Sequence, residues 1–208
     1  MIRLGELFPG HLNLNGDLGN TQVIQQELAW RGIASTRVVI SSAADLDQSI
    51  DFIIVGHGSE AAWADIEQEF AALIPDIKKL VASGIPLLAI STGYEMSIKH
   101  GLIKGVSLAA LPNRVSKFEV ALDGNREVLG YLNTEADIPT LHREGNLVAT
   151  TLHGPVLSRN PILLVELLTL IVERAGLPLP SFLEAKKADQ LAGLIAEVWK
   201  LETELANE

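Results

Sequence analysis

Short, wholly apolar runs alternate along this chain with longer stretches whose apolar residues recur at helical spacing. The two patterns predict strands alternating with helices. Ile2 to Phe8 reads as a first strand, stopped by Pro9-Gly10. Arg37 to Ile40, Phe52 to Val55 and Pro86 to Ile90 read as buried strands rich in aliphatic residues. A helix is expected from about Gln22 to Arg31, capped by Asn20 or Thr21, with Val23, Ile24 and Leu28 on one face and Gly32 closing it. Ala61 to Ser83 has helical character, with Trp63, Ile66 and Phe70 as a core stripe and a break expected at Pro75. This alternation predicts an α/β fold: an open, mostly parallel twisted sheet flanked by helices, with right-handed crossovers.

From Arg114 to Leu152 the pattern changes. Lys117 to Leu122, Glu127 to Leu132 and Leu147 to Leu152 are short alternating runs divided by Asp-Gly-Asn and Pro signals, and are expected as extra antiparallel or edge strands. Asn160-Pro161 then starts a helix from Ile162 to Ala175 that ends at Gly176. The main domain is therefore expected over residues 1–176. Residues 177–208 form a Pro-rich linker and an amphipathic C-terminal helix with a stripe through Leu191, Leu194, Ile195, Val198, Leu201 and Leu205. That helix either packs back on the sheet or docks a partner.

Composition narrows the chemistry. A chain of 208 residues, 48% hydrophobic and 20% charged, can bury a sizeable core. Its net charge of −10 argues against binding to nucleic acid or to anionic membrane. Cysteine is absent, which excludes disulfides, thiolate metal sites and a cysteine nucleophile. The first residues lack an apolar signal core, and no apolar run reaches membrane-spanning length, so a soluble cytoplasmic protein is expected.

Three glycine-rich turns each follow an expected strand: Gly56-His-Gly-Ser59, Ser91-Thr-Gly93 and His153-Gly-Pro155. Ligands in parallel α/β sheets bind beyond the carboxyl ends of strands, so these turns are expected to converge. Ala89-Ile-Ser-Thr-Gly93 is one residue short of the G-x-S-x-G elbow, although the same pattern also serves as an ordinary strand-to-helix loop. At such an elbow Ser91 would attack a carbonyl and His153 would shuttle the proton. The backbone N–H groups of Thr92 and of the Gly56–Gly58 turn would hold the oxyanion. No histidine pair has metal-ligand spacing, and no phosphate-binding loop is present, so neither metal nor cofactor is implied.

Leu7 to Asn20, Pro86 to Glu95 and Thr150 to Pro161 are similar to the three signature stretches of class I glutamine amidotransferase domains. Within that family the chain resembles the cobyric-acid-synthase-like branch, and there the glutaminase subunits of lipid II isoglutaminyl synthases, from about residue 5 to 175. The resemblance implies a subunit that hydrolyses glutamine and passes ammonia to a partner Mur-ligase-like synthetase for amidation of a cell-wall precursor. It places Ser91 at the position of the nucleophilic cysteine and His153 at that of the activating histidine. Arg114 falls where the family holds glutamine, and Gly56 and Gly58 fall in the stretch that lends oxyanion donors.

The departures lie at the chemistry. Ser91-Thr-Gly-Tyr-Glu95 stands where the family has Cys-Gly-Gly-Tyr-Gln, and Gly56-His-Gly-Ser-Glu60 replaces a Gly-Gly-Gly-Gln-Asp loop. A hydroxyl is far less acidic than a thiol, and Pro155 stands where many relatives carry a carboxylate that orients the imidazole. Glu95 adds negative charge where the substrate carboxylate is expected. Weak or absent glutaminase activity is therefore expected. Two alternatives stay open. One is a serine hydrolase or amidase using Ser91, His153 and an acid such as Asp123, Glu135 or Asp137; the other is a non-catalytic regulatory or amino-acid-binding subunit.

Overall fold

The computed structural model describes residues 1–47, 49–124 and 126–206. Asn125, in the expected Asp-Gly-Asn turn, and the last two residues of the expected terminal segment lie outside the described residues. Strands β1 (Ile2–Leu7), β2 (Ser35–Ile40), β3 (Phe52–Val55), β4 (Leu87–Ile90), β7 (Leu141–Glu144) and β8 (Leu147–Thr150) form one sheet, in the order β2-β1-β3-β4-β8-β7. All neighbours in it are parallel except β7 and β8. Strands β5 (Ala109–Asp123), β6 (Arg126–Asp137) and β9 (Leu152–His153) form a second, antiparallel sheet. The expected α/β class is therefore the observed one.

Helices cover both faces of the main sheet, and the buried strands feed the two cores alternately. Ile53, Val55, Leu87 and Ala89 pack with Trp63, Ile66, Phe70 and Ile77 of α2 (Glu60–Ala82). Phe52, Ile54, Leu88 and Ile90 pack with α1 (Gly19–Trp30) and α5 (Pro161–Arg174). Each large side chain removed from water in this way contributes roughly 1.5–3 kcal/mol, which makes β3 and β4 a rigid platform for the turns at their carboxyl ends.

Several expectations need correction. Helix α2 runs unbroken through Pro75. Pro75 is exposed, so the carbonyl that loses its hydrogen bond there lies on the solvent side of the helix, where water replaces the missing partner. Neither Asn20 nor Thr21 caps α1, which starts earlier; both are buried inside it. Asn20 donates to the carbonyls of Asp17 and Gly154, and Thr21 donates to the buried Glu6. The β5–β6 hairpin is much longer than the short runs expected. Strand β8 is neither an edge nor purely antiparallel: it lies between β4 and β7. Asn160 precedes Pro161 at the start of α5 as expected, but its side chain makes no cap bond and reaches β6 instead.

Helix α3 (Thr92–Lys99) follows β4, and the short α4 (Val156–Arg159) follows β9. The C-terminal helix α6 (Ala185–Ala206) has no buried residue. It is tethered to the body by the Arg159–Glu202 pair at 2.7 Å and by the Trp199 indole, which donates to the Arg159 carbonyl. A cavity of about 820 Å³ lies between this helix and the body, lined by Val128, Ile162, Leu163, Leu191, Ile195 and Trp199 among others. No helix among the described residues is long and apolar enough to cross a membrane.

Candidate active site

Ser91 stands at the carboxyl end of β4 with φ +50° and ψ −116°. Among the described residues only Phe8 shares a positive φ without being glycine. Such a backbone costs about 1–3 kcal/mol and persists only where its surroundings enforce it. Here the Ser91 N–H donates to the Thr150 carbonyl (2.7 Å), and the Ser91 carbonyl accepts from the N–H groups of Tyr94 and Glu95. The turn is tight because Gly93 permits it: a Cβ there would lie 2.5 Å from the Val55 carbonyl oxygen and 2.6 Å from that of Gly56. The result is a strained elbow that aims a buried serine across the sheet end.

His153, at the end of β9, meets it. Ser91 Oγ lies 3.0 Å from His153 Nε2, and the main-chain oxygen of Asn133 on β6 lies 2.8 Å from the same nitrogen. On the opposite side of the ring, the side-chain amide nitrogen of Asn15 faces Nδ1. Burial pushes the His153 imidazole below the ordinary histidine range; the Asn133 carbonyl and the Asp17 carboxylate oppose the shift, and Arg114 adds to it. Asp17 is itself fully buried, and burial raises its pKa against the N–H groups of Asn15, His57 and Gly154.

The carboxylates expected to orient His153 are elsewhere. Asp123 is held by Arg143 (2.6 Å) and Arg126 (3.2 Å) beside the hairpin tip, Glu135 pairs with Arg114 (3.1 Å), and Asp137 ends β6. Asn15 and Asp17, which the sequence pattern marks only as turn formers, occupy that side of the ring instead. The available signal was the density of Asn and Asp in a loop that immediately follows a buried strand.

The expected oxyanion donors meet a different geometry. The Gly58 N–H (3.0 Å) and the Trp63 indole N–H (2.8 Å) both donate to Thr92 Oγ1 and fill its two lone pairs. The Thr92 hydroxyl hydrogen is left for the Gly58 carbonyl (3.0 Å) or His57 Nδ1 (3.1 Å). The Thr92 side chain thus occupies the donor expected to wait for an oxyanion. The backbone N–H of Thr92, in the first turn of α3, has no acceptor within the helix and remains suited to that role. Gly56 supplies clearance, since a Cβ there would lie 2.1 Å from the Leu12 carbonyl oxygen.

Glu95 is half-buried on α3, its pKa raised by burial and then by Glu135. Arg114 is exposed on β5 and acts on both His57 and His153 through its charge. No cluster of three or more His, Asp or Glu among the described residues could hold a metal ion.

His57 makes an edge contact with His153, ring centroids 4.7 Å apart, and its pKa is pushed down to about 4 by burial, then by His153 and Arg114. A histidine neutral in the fold stabilises it fully above its ordinary pKa of 6.5, and the contribution is lost as pH falls from there towards about 4. Urea denaturation over this interval should show stability falling on acidification, with a smaller slope in His57→Gln. An identical slope in both proteins would remove His57 as the titrating group.

No protein-family model matches the sequence. The chain is 27% identical to the lipid II isoglutaminyl synthase (glutamine-hydrolyzing) subunit GatD of Staphylococcus aureus strain N315, over 89% of each chain. Among solved structures it is similar to a glutamine amidotransferase from Thermotoga maritima, at 17% identity and TM-score 0.50, covering 96% of this chain and 97% of that one. It is also similar to PurLQS from Thermotoga maritima, at 14% identity and TM-score 0.52, covering 83% of this chain and 96% of that one. The chain has the α/β fold of glutamine amidotransferases and a distant sequence likeness to GatD.

Proposed function

We propose that this chain is a glutaminase-type subunit of the lipid II isoglutaminyl synthase kind, in the cobyric-acid-synthase-like branch, with weakened chemistry at its nucleophile. The observation that carries the reading is Ser91, held in a strained elbow 3.0 Å from His153, in a chain aligned over 89% of its length with a glutamine-hydrolysing subunit. Residues 1–176 would form the amidotransferase-like unit and the remainder an appended arm. Glutamine would be held by Arg114, and ammonia would pass to a Mur-ligase-like synthetase, because the relative is itself a subunit of a synthase. Three features weaken the reaction. The serine hydroxyl needs a strong base that a thiol does not, Thr92 Oγ1 takes the Gly58 N–H, and Glu95 and Glu135 bring negative charge towards the substrate carboxylate.

The test is ammonia release from glutamine, alone and with a candidate synthetase. The native chain should stay near background and Ser91→Cys should rise above it. Adding Thr92→Gly frees a donor of the kind whose loss costs about 10²–10³ in rate, so the double variant should gain further. Native turnover equal to that of Ser91→Cys would sink the impaired reading; silence in every variant, with no rise in melting temperature on adding glutamine, would sink the glutaminase reading itself.

A further inference from the structure

The neighbours of His153 decide where its proton sits. A main-chain carbonyl oxygen can only accept, so Asn133 at 2.8 Å requires a hydrogen on Nε2. A neutral ring with its hydrogen on Nε2 leaves Nδ1 bare, and the Asn15 side-chain nitrogen, a donor, faces that nitrogen. The two contacts come from different elements, β6 and the loop after β1, and a single neutral tautomer satisfies both. The one hydrogen on Nε2 is taken by Asn133, so Ser91 Oγ, 3.0 Å from the same nitrogen, finds no free lone pair there. We propose that the Asn133 carbonyl, with Asn15 as a positioning residue on the other side of the ring, holds His153 in the Nε2–H tautomer, so that Nε2 has no lone pair with which to take the Ser91 proton.

General-base action needs the reverse arrangement: a bare Nε2 towards the nucleophile and an N–H on Nδ1 facing an acceptor. Two changes would be required here. The Asn15 side chain would have to turn its oxygen towards the ring, and the Asn133 carbonyl would have to withdraw, because otherwise two lone pairs would oppose each other at 2.8 Å. Asn15 is exposed, so its amide can turn without disturbing the core; Asn133 belongs to the hydrogen-bonded ladder of β5 and β6, so its carbonyl moves only with the hairpin. The pair is thus held off by its supporting residues as well as by the choice of serine. The role of base belongs to the glutaminase reading, but the position of the proton does not depend on it.

Long-range ¹H–¹⁵N spectra of the native chain test this directly, with the His153 signals assigned by their loss in His153→Gln. A protonated Nε2 and a bare Nδ1 are expected; the opposite pattern would overturn the proposal. A second test compares Ser91→Cys with Ser91→Cys/Asn15→Asp by iodoacetamide alkylation across pH. The titratable and charged groups acting on the ring, Asp17, His57 and Arg114, are the same in both. A carboxylate at position 15 accepts from Nδ1–H while Asn133 accepts from Nε2–H, which favours the imidazolium and, beside it, the thiolate. The introduced thiol should then ionise about one pH unit lower and react about tenfold faster near pH 6. An unchanged profile would overturn the role of Asn15. Ammonia release enters neither readout, so a failure of the glutaminase reading and a failure of this proposal remain distinguishable.

Discussion

Gly56→Ala is expected to destabilise the protein by about 3 kcal/mol or more, the upper range for forcing an extra carbon into a packed site. The added Cβ would lie 2.1 Å from the Leu12 carbonyl oxygen and 3.3 Å from the Asp17 side chain. The clashing atom is backbone on a segment whose main chain is pinned at both ends: the Leu12 N–H donates to Phe8, and the Leu14 N–H donates to the His57 carbonyl. Relief requires lifting the 11–17 loop from the end of β3. Thermal and urea melts measure the cost, and about 3 kcal/mol corresponds to a melting point roughly 6–12 °C lower for a chain of this size. Gly10→Ala is the control, since a Cβ there meets nothing within 4 Å; it should stay within about 0.5 kcal/mol of the parent. If the two variants melt together, the close approach of loop and strand is wrong. Because the same loop carries Asn15 and Asp17, a folded Gly56→Ala protein should also lose the fixed orientation of His153.

Asn160→Ala is expected to cost about 3 kcal/mol for the opposite reason, by deleting partners that buried groups require. Asn160 is 3% exposed; its Oδ1 accepts from the Leu129 N–H (2.9 Å), and its Nδ2 donates to the carbonyls of Leu129 (2.8 Å) and Val156 (2.7 Å). Truncation leaves all three main-chain groups short of a bond where water has little access. Asn160→Asp should be comparably damaging at neutral pH, because a carboxylate oxygen would replace the donor between two carbonyls. Urea midpoints at unchanged m value measure both variants. A loss below about 1 kcal/mol in Asn160→Ala would mean that β6 does not depend on this side chain.

The centre of the main sheet was legible because its strands are buried on both faces and carry apolar residues at nearly every position. Phe52–Val55 and Leu87–Ile90 carry that signature plainly. Leu147–Thr150 carries it too, with all four residues buried, but its place after the hairpin suggested an edge. Pro75 misled because a proline rule for helix interiors weakens where the orphaned carbonyl reaches water. Ser91 and His153 were legible as strand-end residues in glycine-rich turns, and the structure brings them together. Their supporting residues were not. Asn15 and Asp17 have turn-forming side chains, and nothing local distinguishes an Asp that makes a surface turn from one that is fully buried. Asn133 acts through its main-chain oxygen, which any residue would supply, so no side-chain pattern could have marked it. The Thr92 hydroxyl was visible as a departure, but its contacts with Gly58, His57 and Trp63 required the relative placement of three turns.

The two halves of the site hang from different sheets. Ser91 is positioned by β4 in the mostly parallel main sheet, whereas His153 is positioned by the pairing of β9 with β6, a ladder of only two residue pairs, Tyr131 with His153 and Leu132 with Leu152. Successive side chains on a strand point to opposite faces, so a slip of one residue along β6 would turn the imidazole away from the elbow without altering a single amino acid. The Ser91–His153 pair is thus encoded in strand register as firmly as in residue identity. An insertion or deletion in the hairpin would therefore separate the pair while leaving Ser91, its elbow and the main sheet intact.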